Sequence, residues 1–455
     1  MTKNNIKTSN SFLEGPVLPS LLRFSIPILM ALFLQALYGA VDMWAVGTFC
    51  GPSDLSAVAT GSQTLMIATS FLTGLSMGTT ILLGQKTGEG NGKDSAKALG
   101  SSLVIFGILS IFITALLILL APGIASSMNA PASAYEKTVS YIRICGGGIF
   151  FITGYNLLSS VFRGLGNSNA PFVFVLIACI FNIILDVTFI KYFHMGTAGA
   201  AFATVLAQSI SVIIALVYIR KEGLPFEFGL KDIRYSRNMG RLVLKLGSPI
   251  AFQDMFTELS YLMLMGFVNY LGVNVSAGVG VAEKLVMFIV LIPRAHLQSI
   301  SAFVAQNRGG GRMDRAKEAL FKGMASSVFL GGIAALVSYF EGPFLASVFT
   351  SDPEVIRNAA EYLQATAIEC FVLSFAFCFT GYFNGLGKTL WVMIQGLTAT
   401  FLIRIPVAFY ESRRPDPQLF RIGFSAVDAA VFMLVSGIIY YIIIRKKDHS
   451  IKGIA

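Results

Sequence analysis

The chain has 455 residues, of which 55% are hydrophobic and 13% are charged, and its mean hydropathy is +0.71. Soluble globular proteins carry about 25% charged residues, so this composition excludes that class and indicates a membrane protein. The net charge of +10 does not indicate nucleic-acid binding, because the basic residues form short runs between long apolar segments.

Motifs for enzymatic chemistry are missing from the sequence. It contains no HExxH, GxSxG or Walker-type motif, and its three histidines lie far apart. The five cysteines show no closely spaced pairs, which argues against a zinc site or a disulfide framework. The sequence therefore predicts a protein that is not an enzyme and needs no cofactor; if it uses energy, that energy must come from an ion gradient.

Apolar runs of about 20 residues or more predict twelve membrane-spanning helices. Their predicted ranges are 17–44, 55–83, 96–122, 136–162, 170–191, 197–219, 241–269, 276–303, 317–346, 357–384, 388–411 and 422–444. No signal-peptide cleavage site precedes the first span, which we expect to be retained. Lys and Arg concentrate at both termini and in alternate loops, so both termini are predicted to face the cytoplasm, as in a multi-pass protein of the plasma (inner) membrane.

The first, fifth and sixth spans carry oxygen-bearing side chains at membrane depth. Asp42 lies near the end of the first span, Asn182 and Asp186 are one helical turn apart in the fifth, and Thr204 begins the sixth. These hard oxygen ligands suit Na⁺, or a proton shared between two acids. Arg143, the one candidate base, is placed to snorkel to water. The alternative is that each acid only hydrogen-bonds a helix kink, but acids within a membrane usually have a function.

The two halves of the sequence repeat. Four pairs of matching positions are displaced by 221 or 222 residues: Gly164 with Gly385, Gln85 with Gln306, Pro27 with Pro249, and Asn129-Ala-Pro131 with Ser351-Asp-Pro353. A duplicated unit of six helices keeps the same topology in both copies. We therefore predict an all-α protein of two pseudo-symmetric six-helix lobes.

The predicted organisation has five parts. They are a cytoplasmic N-terminal tail at 1–16, an N-lobe at 17–219, a basic cytoplasmic linker at 220–240, a C-lobe at 241–444 and a cytoplasmic C-terminal tail at 445–455.

The polar residues of the C-lobe differ from those of the N-lobe. Acids and bases nearly cancel among Glu258, Glu283, Lys284, Glu369 and Arg404, which favours structural ion pairs. The alternative is a substrate contact or a second proton site at Glu258 or Glu369. At an offset of 221 residues, apolar Ile403 and Val407 match the two polar residues of the fifth span.

Together these motifs resemble the multidrug and toxic compound extrusion (MATE) family. The resemblance extends from about residue 15 to 445 and rests on Pro27 with Asp42, FRGLGN at 162–167, Asn182 with Asp186, GAAFAT at 199–204, VGVAEK at 279–284, AFVAQNRGGG at 302–311 and RIP at 404–406. It implies an antiporter that exports organic, often cationic compounds in exchange for Na⁺ or H⁺.

The resemblance also implies roles for particular residues. It places the ion-coupling site at Asp42, Asn182, Asp186 and Thr204, which could hold Na⁺, and it matches Glu258 with an acid that some members carry. We expect a hinge at Pro27 and a monomer in the lipid bilayer that exports small organic cations.

Another transporter of related architecture remains an alternative. A flippase or exporter of a lipid-linked precursor or metabolite should carry several cationic residues in its cavity, whereas only Lys284 and Arg404 are candidates here.

Overall fold

The computed structural model describes residues 12–452, and its regular elements are helices. The α-helices are α1 Val17–Phe49, α2 Pro52–Gly88, α3 Gly92–Ser127, α4 Tyr135–Gly147, α5 Ile149–Gly164, α6 Asn169–Asp186, α7 Gly196–Glu222, α8 Arg237–Asn269, α9 Val273–Ile289, α10 Leu291–Gly309, α11 Met313–Phe340, α12 Gly342–Ser347, α13 Pro353–Gly385, α14 Thr389–Thr398, α15 Ile405–Ser412 and α16 Leu419–Lys452. The remaining helical segments are a 3₁₀ turn at Leu230–Asp232 and π-helical segments at Val187–Tyr192 and Ala399–Arg404.

Ten continuous helical segments of the described chain are long and apolar enough to cross a membrane. The pair α4 and α5 makes an eleventh candidate, bent by 49°. The helix α8 has 33 residues but begins with a polar turn and carries several charges. Together these segments coincide with the twelve predicted spans.

The structure adds interruptions that the apolar pattern did not predict. The fourth predicted span bends at Gly148, and the eighth is divided between α9 and α10. The fifth and eleventh each contain a π-helical segment. The last helix continues to Lys452, so the predicted C-terminal tail is helical for most of its length, and residues 453–455 lie outside the described chain. Residues 1–11 of the predicted N-terminal tail also lie outside it.

The chain forms two compact units. Unit 1 comprises residues 12–15, Ile26–Met255 and Ala305–Gly311, and unit 2 comprises Pro16–Ser25, Phe256–Val304 and residues 312–452. These units follow packing rather than sequence halves, because the first part of α1 belongs to unit 2 and the first part of α8 belongs to unit 1. The lobe boundaries at 219 and 241 stay predictions.

Inside unit 1, α1, α5, α6 and α7 share a hydrophobic core. Its buried residues include Leu34 and Tyr38 from α1, Ala178 and Cys179 from α6, and Ala207 from α7. Small residues on α6 and α7 allow the helix backbones to approach closely, as in many membrane helix pairs. This core fixes the relative positions of the three helices that carry Asp42, Asp186 and Thr204.

Asp54 connects the beginning of α7 to two other helices of unit 1. Its Oδ1 accepts hydrogen bonds from the backbone N and the Oγ1 of Thr197, at 3.4 and 3.2 Å. Its Oδ2 forms a 2.7 Å ion pair with Nζ of Lys137 on α4. Asp54 therefore caps α7 from a distant part of the sequence, since free N–H groups at a helix start need acceptors.

We expect Asp54→Ala to lower the stability of the protein by about 1–2 kcal/mol, because the cap and the ion pair are lost together. Thermal unfolding of the detergent-purified protein measures this. The matched control is Asp314→Ala: Asp314 pairs with Arg312 at 3.6 Å on the surface, and exposed pairs contribute little. Equal unfolding temperatures for the two variants would contradict the capping role.

Candidate functional site

The four side chains predicted for the N-lobe site meet in unit 1. Asp42 lies on α1, Asn182 and Asp186 on α6, and Thr204 on α7. Both Asn182 and Asp186 are completely buried, and Asp42 is 5% exposed. The hydroxyl of Thr204 donates a 3.0 Å hydrogen bond to Oδ2 of Asp42, and the side chains of Asp186 and Asn182 lie next to the same carboxyl group.

This site leaves buried polar atoms without partners. Among the described residues, Oδ1 of Asp42, both carboxylate oxygens of Asp186 and both amide atoms of Asn182 form no hydrogen bond. None of the described basic side chains lies against either carboxylate. Buried unpartnered carboxylates are costly, so such a group of oxygen atoms is suited to a small cation or a shared proton.

Two tyrosines that the sequence analysis did not select hold α1 in place. Tyr38, one turn before Asp42, donates a 3.1 Å hydrogen bond to the carbonyl oxygen of Thr204. The OH of Tyr155 on α5 accepts a 3.3 Å hydrogen bond from Nε2 of Gln35. The spacing of four residues between Tyr38 and Asp42 places them on one helix face, which is the signal that could have identified Tyr38.

A cavity lies near the end of α6. It has a volume of about 550 Å³ and is lined by Ile190, one turn beyond Asp186, and by Phe49 at the end of α1. The charged side chains Asp54, Glu136 and Lys137 also line it. The cavity therefore brings polar surface close to the end of the helix that carries Asp186.

The polar residues predicted for the C-lobe all lie in unit 2 and differ in burial. Glu258 is 8% exposed and its Oε1 lies 3.7 Å from Nη2 of Arg294. Lys284 is exposed. Glu369 and Arg404 are buried, and Arg404 interacts electrostatically with Glu369 and Glu283. Tyr362, which the sequence analysis did not select, donates a 2.8 Å hydrogen bond to Glu283.

A family model matches most of this chain in two copies. The MatE model matches residues 27–188 and again 249–410. The chain belongs to the MATE family. The two matches begin at Pro27 and Pro249, the prolines that the internal repeat pairs. Membership confirms the prediction that the protein is a transporter and not an enzyme.

Curated relatives of this MATE protein are multidrug transporters. The probable multidrug resistance protein YpnP of Bacillus subtilis is 29% identical over 396 residues, covering 87% of this chain and 88% of the relative. The multidrug export protein MepA of Staphylococcus aureus (strain MSSA476) is 24% identical, with 88% of both chains covered. The chain is thus a multi-pass membrane protein of a multidrug efflux family with small-molecule substrates.

Solved structures agree on the fold. A multidrug resistance MATE family transporter of the MOP superfamily, in an outward-facing conformation, superposes with a TM-score of 0.89 at 20% identity. The match covers 97% of this chain and 98% of the other. At that identity the likeness shows the fold alone, and it confirms the predicted all-α architecture of twelve helices in two lobes.

Proposed function

We propose that this MATE protein is a secondary antiporter that exports organic, cationic amphiphilic compounds in exchange for Na⁺ or H⁺. It would work by alternating access, as a monomer in the plasma membrane with both termini in the cytoplasm. The coupling ion binds at Asp42, Asn182, Asp186 and Thr204. One observation carries the proposal: two buried acids adjoin each other without a basic partner among the described residues.

The charge of the site explains why the partner is a mobile ion. Two adjacent carboxylates at membrane depth repel each other, and each costs at least a few kcal/mol when it is left unpaired. A fixed Lys or Arg would remove that cost permanently. Since neither carboxylate has such a neighbour in the part of the chain that the structure describes, a cation that enters and leaves can change the charge of the site during each transport cycle.

Pro27 supplies the proposed hinge. A proline inside a helix removes one backbone hydrogen bond and bends or softens the helix. The helix α1 passes from unit 2 to unit 1 between Ser25 and Ile26, directly before Pro27. Ion binding to Asp42 and Asp186 would favour one bent conformation of α1. In that conformation the substrate would lose its contacts with the protein. This requires that the ion bind one conformation more tightly than the other.

Ethidium efflux from sealed vesicles under an imposed Na⁺ or proton gradient tests the function. We expect efflux to follow one of the two gradients and to stop when that gradient is collapsed by an ionophore. Efflux that persists without either gradient would contradict ion coupling. Failure to export several cationic dyes under both gradients would favour the alternative, a carrier of lipid-linked precursors or metabolites.

Thr204 should tune the affinity for the ion. We expect Thr204→Val, which keeps the side-chain volume but loses the hydrogen bond to Asp42, to raise the half-maximal ion concentration for efflux about tenfold. Thr204→Ser retains the hydroxyl and serves as the matched control. An unchanged ion dependence in Thr204→Val would show that this hydroxyl does not contribute to the site.

A further inference from the structure

Unit 2 contains a second group of buried charges, arranged differently from the first. Arg404 is 5% exposed and Glu369 7% exposed. Glu283 is half-buried and accepts the hydrogen bond from Tyr362. Both carboxylates interact electrostatically with the guanidinium. One fixed positive charge therefore faces two acids within a single unit.

The guanidinium of Arg404 is held by an aromatic ring rather than by a close ion pair. Its central carbon lies 3.9 Å from the ring centroid of Tyr261, which is a cation–π contact. Among the described residues it forms no direct ion pair with a carboxylate, and its Nε is buried without a hydrogen-bond partner. Hydrogen bonds of the guanidinium therefore do not explain why residue 404 is an arginine.

The position of Arg404 along the repeat gives a second observation. The α6 helix carries Asn182 and Asp186 and continues into the π-helical segment Val187–Tyr192. Its counterpart in the second half is α14, which continues into the π-helical segment Ala399–Arg404. Arg404 is adjacent to Ile403, the position that matches Asn182. The corresponding span thus carries ion ligands in one half and a cation in the other.

We propose that Arg404 is a tethered counter-cation. Its guanidinium is a permanent positive charge for Glu369 and Glu283. The site at Asp42 and Asp186 instead obtains its positive charge from a transported ion. Unit 2 therefore needs no exchangeable cation, and ion coupling is confined to unit 1. The statement about coupling rests on the proposed function, whereas the counter-cation role can be tested without transport.

A binding experiment tests the counter-cation role directly. Arg404→Ala leaves both acids and a cavity of the size of the lost side chain. We expect millimolar guanidinium to raise the unfolding temperature of purified Arg404→Ala by a few degrees, since a ligand of the folded state stabilises it. Urea, which has nearly the same shape but no charge, should have no such effect. The wild-type protein should not respond to either compound.

Matched variants decide whether the loss of the positive charge causes the response of Arg404→Ala to guanidinium. In the double variant Glu369→Gln/Arg404→Ala, one acid and the guanidinium are removed together, so stability should recover and the response to guanidinium should disappear. A guanidinium response equal to that of urea, or unchanged in the double variant, would overturn the proposal. If Arg404→Ala yields no folded protein, the double variant should still fold, because the one acid that remains, Glu283, keeps its hydrogen bond from Tyr362. Failure of the double variant to fold would also overturn the counter-cation role of Arg404.

Transport by the same variants tests whether efflux requires the tethered charge of Arg404. Arg404→Lys keeps a tethered charge and should retain ethidium efflux within about threefold of wild type, whereas Arg404→Ala should lose about tenfold. Millimolar guanidinium should restore efflux by Arg404→Ala. Equal loss in the lysine variant would show that the guanidinium shape, and not its charge, is required. Absence of efflux in the wild-type protein would refute the proposed function and leave the binding result intact.

Discussion

Replacing Asp186 with asparagine should reduce gradient-driven ethidium efflux about a hundredfold. Without this carboxylate the coupling ion no longer binds one conformation of the transporter more tightly than the other, so it cannot shift the balance between them. Asp42→Asn should have the same effect, since both carboxylates face the same site. The asparagine side chain has nearly the same shape, so the variants remove charge and little packing. Efflux is measured under whichever gradient drives the wild-type protein.

Stability distinguishes a lost ion site from a misfolded protein. Both oxygens of Asp186 are buried and accept no hydrogen bond from any described residue, so neutralising Asp186 relieves a desolvation cost. We therefore expect purified Asp186→Asn to unfold at the same temperature as the wild type or higher. Asp314→Asn makes the same chemical change at an exposed acid and should leave efflux unaltered. Full export by Asp186→Asn would refute the ion-coupling role of Asp186.

A second large effect is expected where two copies of the repeat touch inside unit 1. A β-carbon added at Gly88, at the end of α2, would overlap the carbonyl oxygen of Gln306. A β-carbon at Gly309, at the end of α10, would overlap the carbonyl oxygen of Gln85. The two contacts are reciprocal because each glycine meets the glutamine of the other copy. Neither carbonyl belongs to a flexible side chain, so the backbones themselves would have to separate.

Gly88→Ala and Gly309→Ala should therefore each destabilise the protein by about 2–3 kcal/mol, as overpacking of a close contact does. The unfolding temperature of detergent-purified protein measures the effect. Gly107→Ala in α3 is the matched control, since no atom of the described chain lies within 4 Å of its added β-carbon. Alanine also favours helix, so this control should be neutral or slightly stabilising. Similar unfolding temperatures for all three variants would show that these helix ends can separate at little cost.

Much of the fold could be predicted because membrane helices are local structures. A hydrocarbon environment forces backbone groups to bond within each segment, so an apolar run of sufficient length is a helix. The repeat of 221 or 222 residues then indicated two copies, and the two matches of the family model agree with it. The bend at Gly148 and the two π-helical segments were not predicted, because they depend on neighbours rather than on hydropathy.

The sequence alone determined which residue types stand at membrane depth: two acids, an amide and a hydroxyl in the first half, and a mixture of acids and bases in the second. Only the tertiary structure decided that Thr204 donates to Asp42, while the Asp186 carboxylate has no hydrogen bond within residues 12–452, and that Arg404 lies over Tyr261. The physical reason is that burial and charge pairing arise between helices distant in sequence. Residue order fixes the charges, and helix packing fixes which of them remain without a partner.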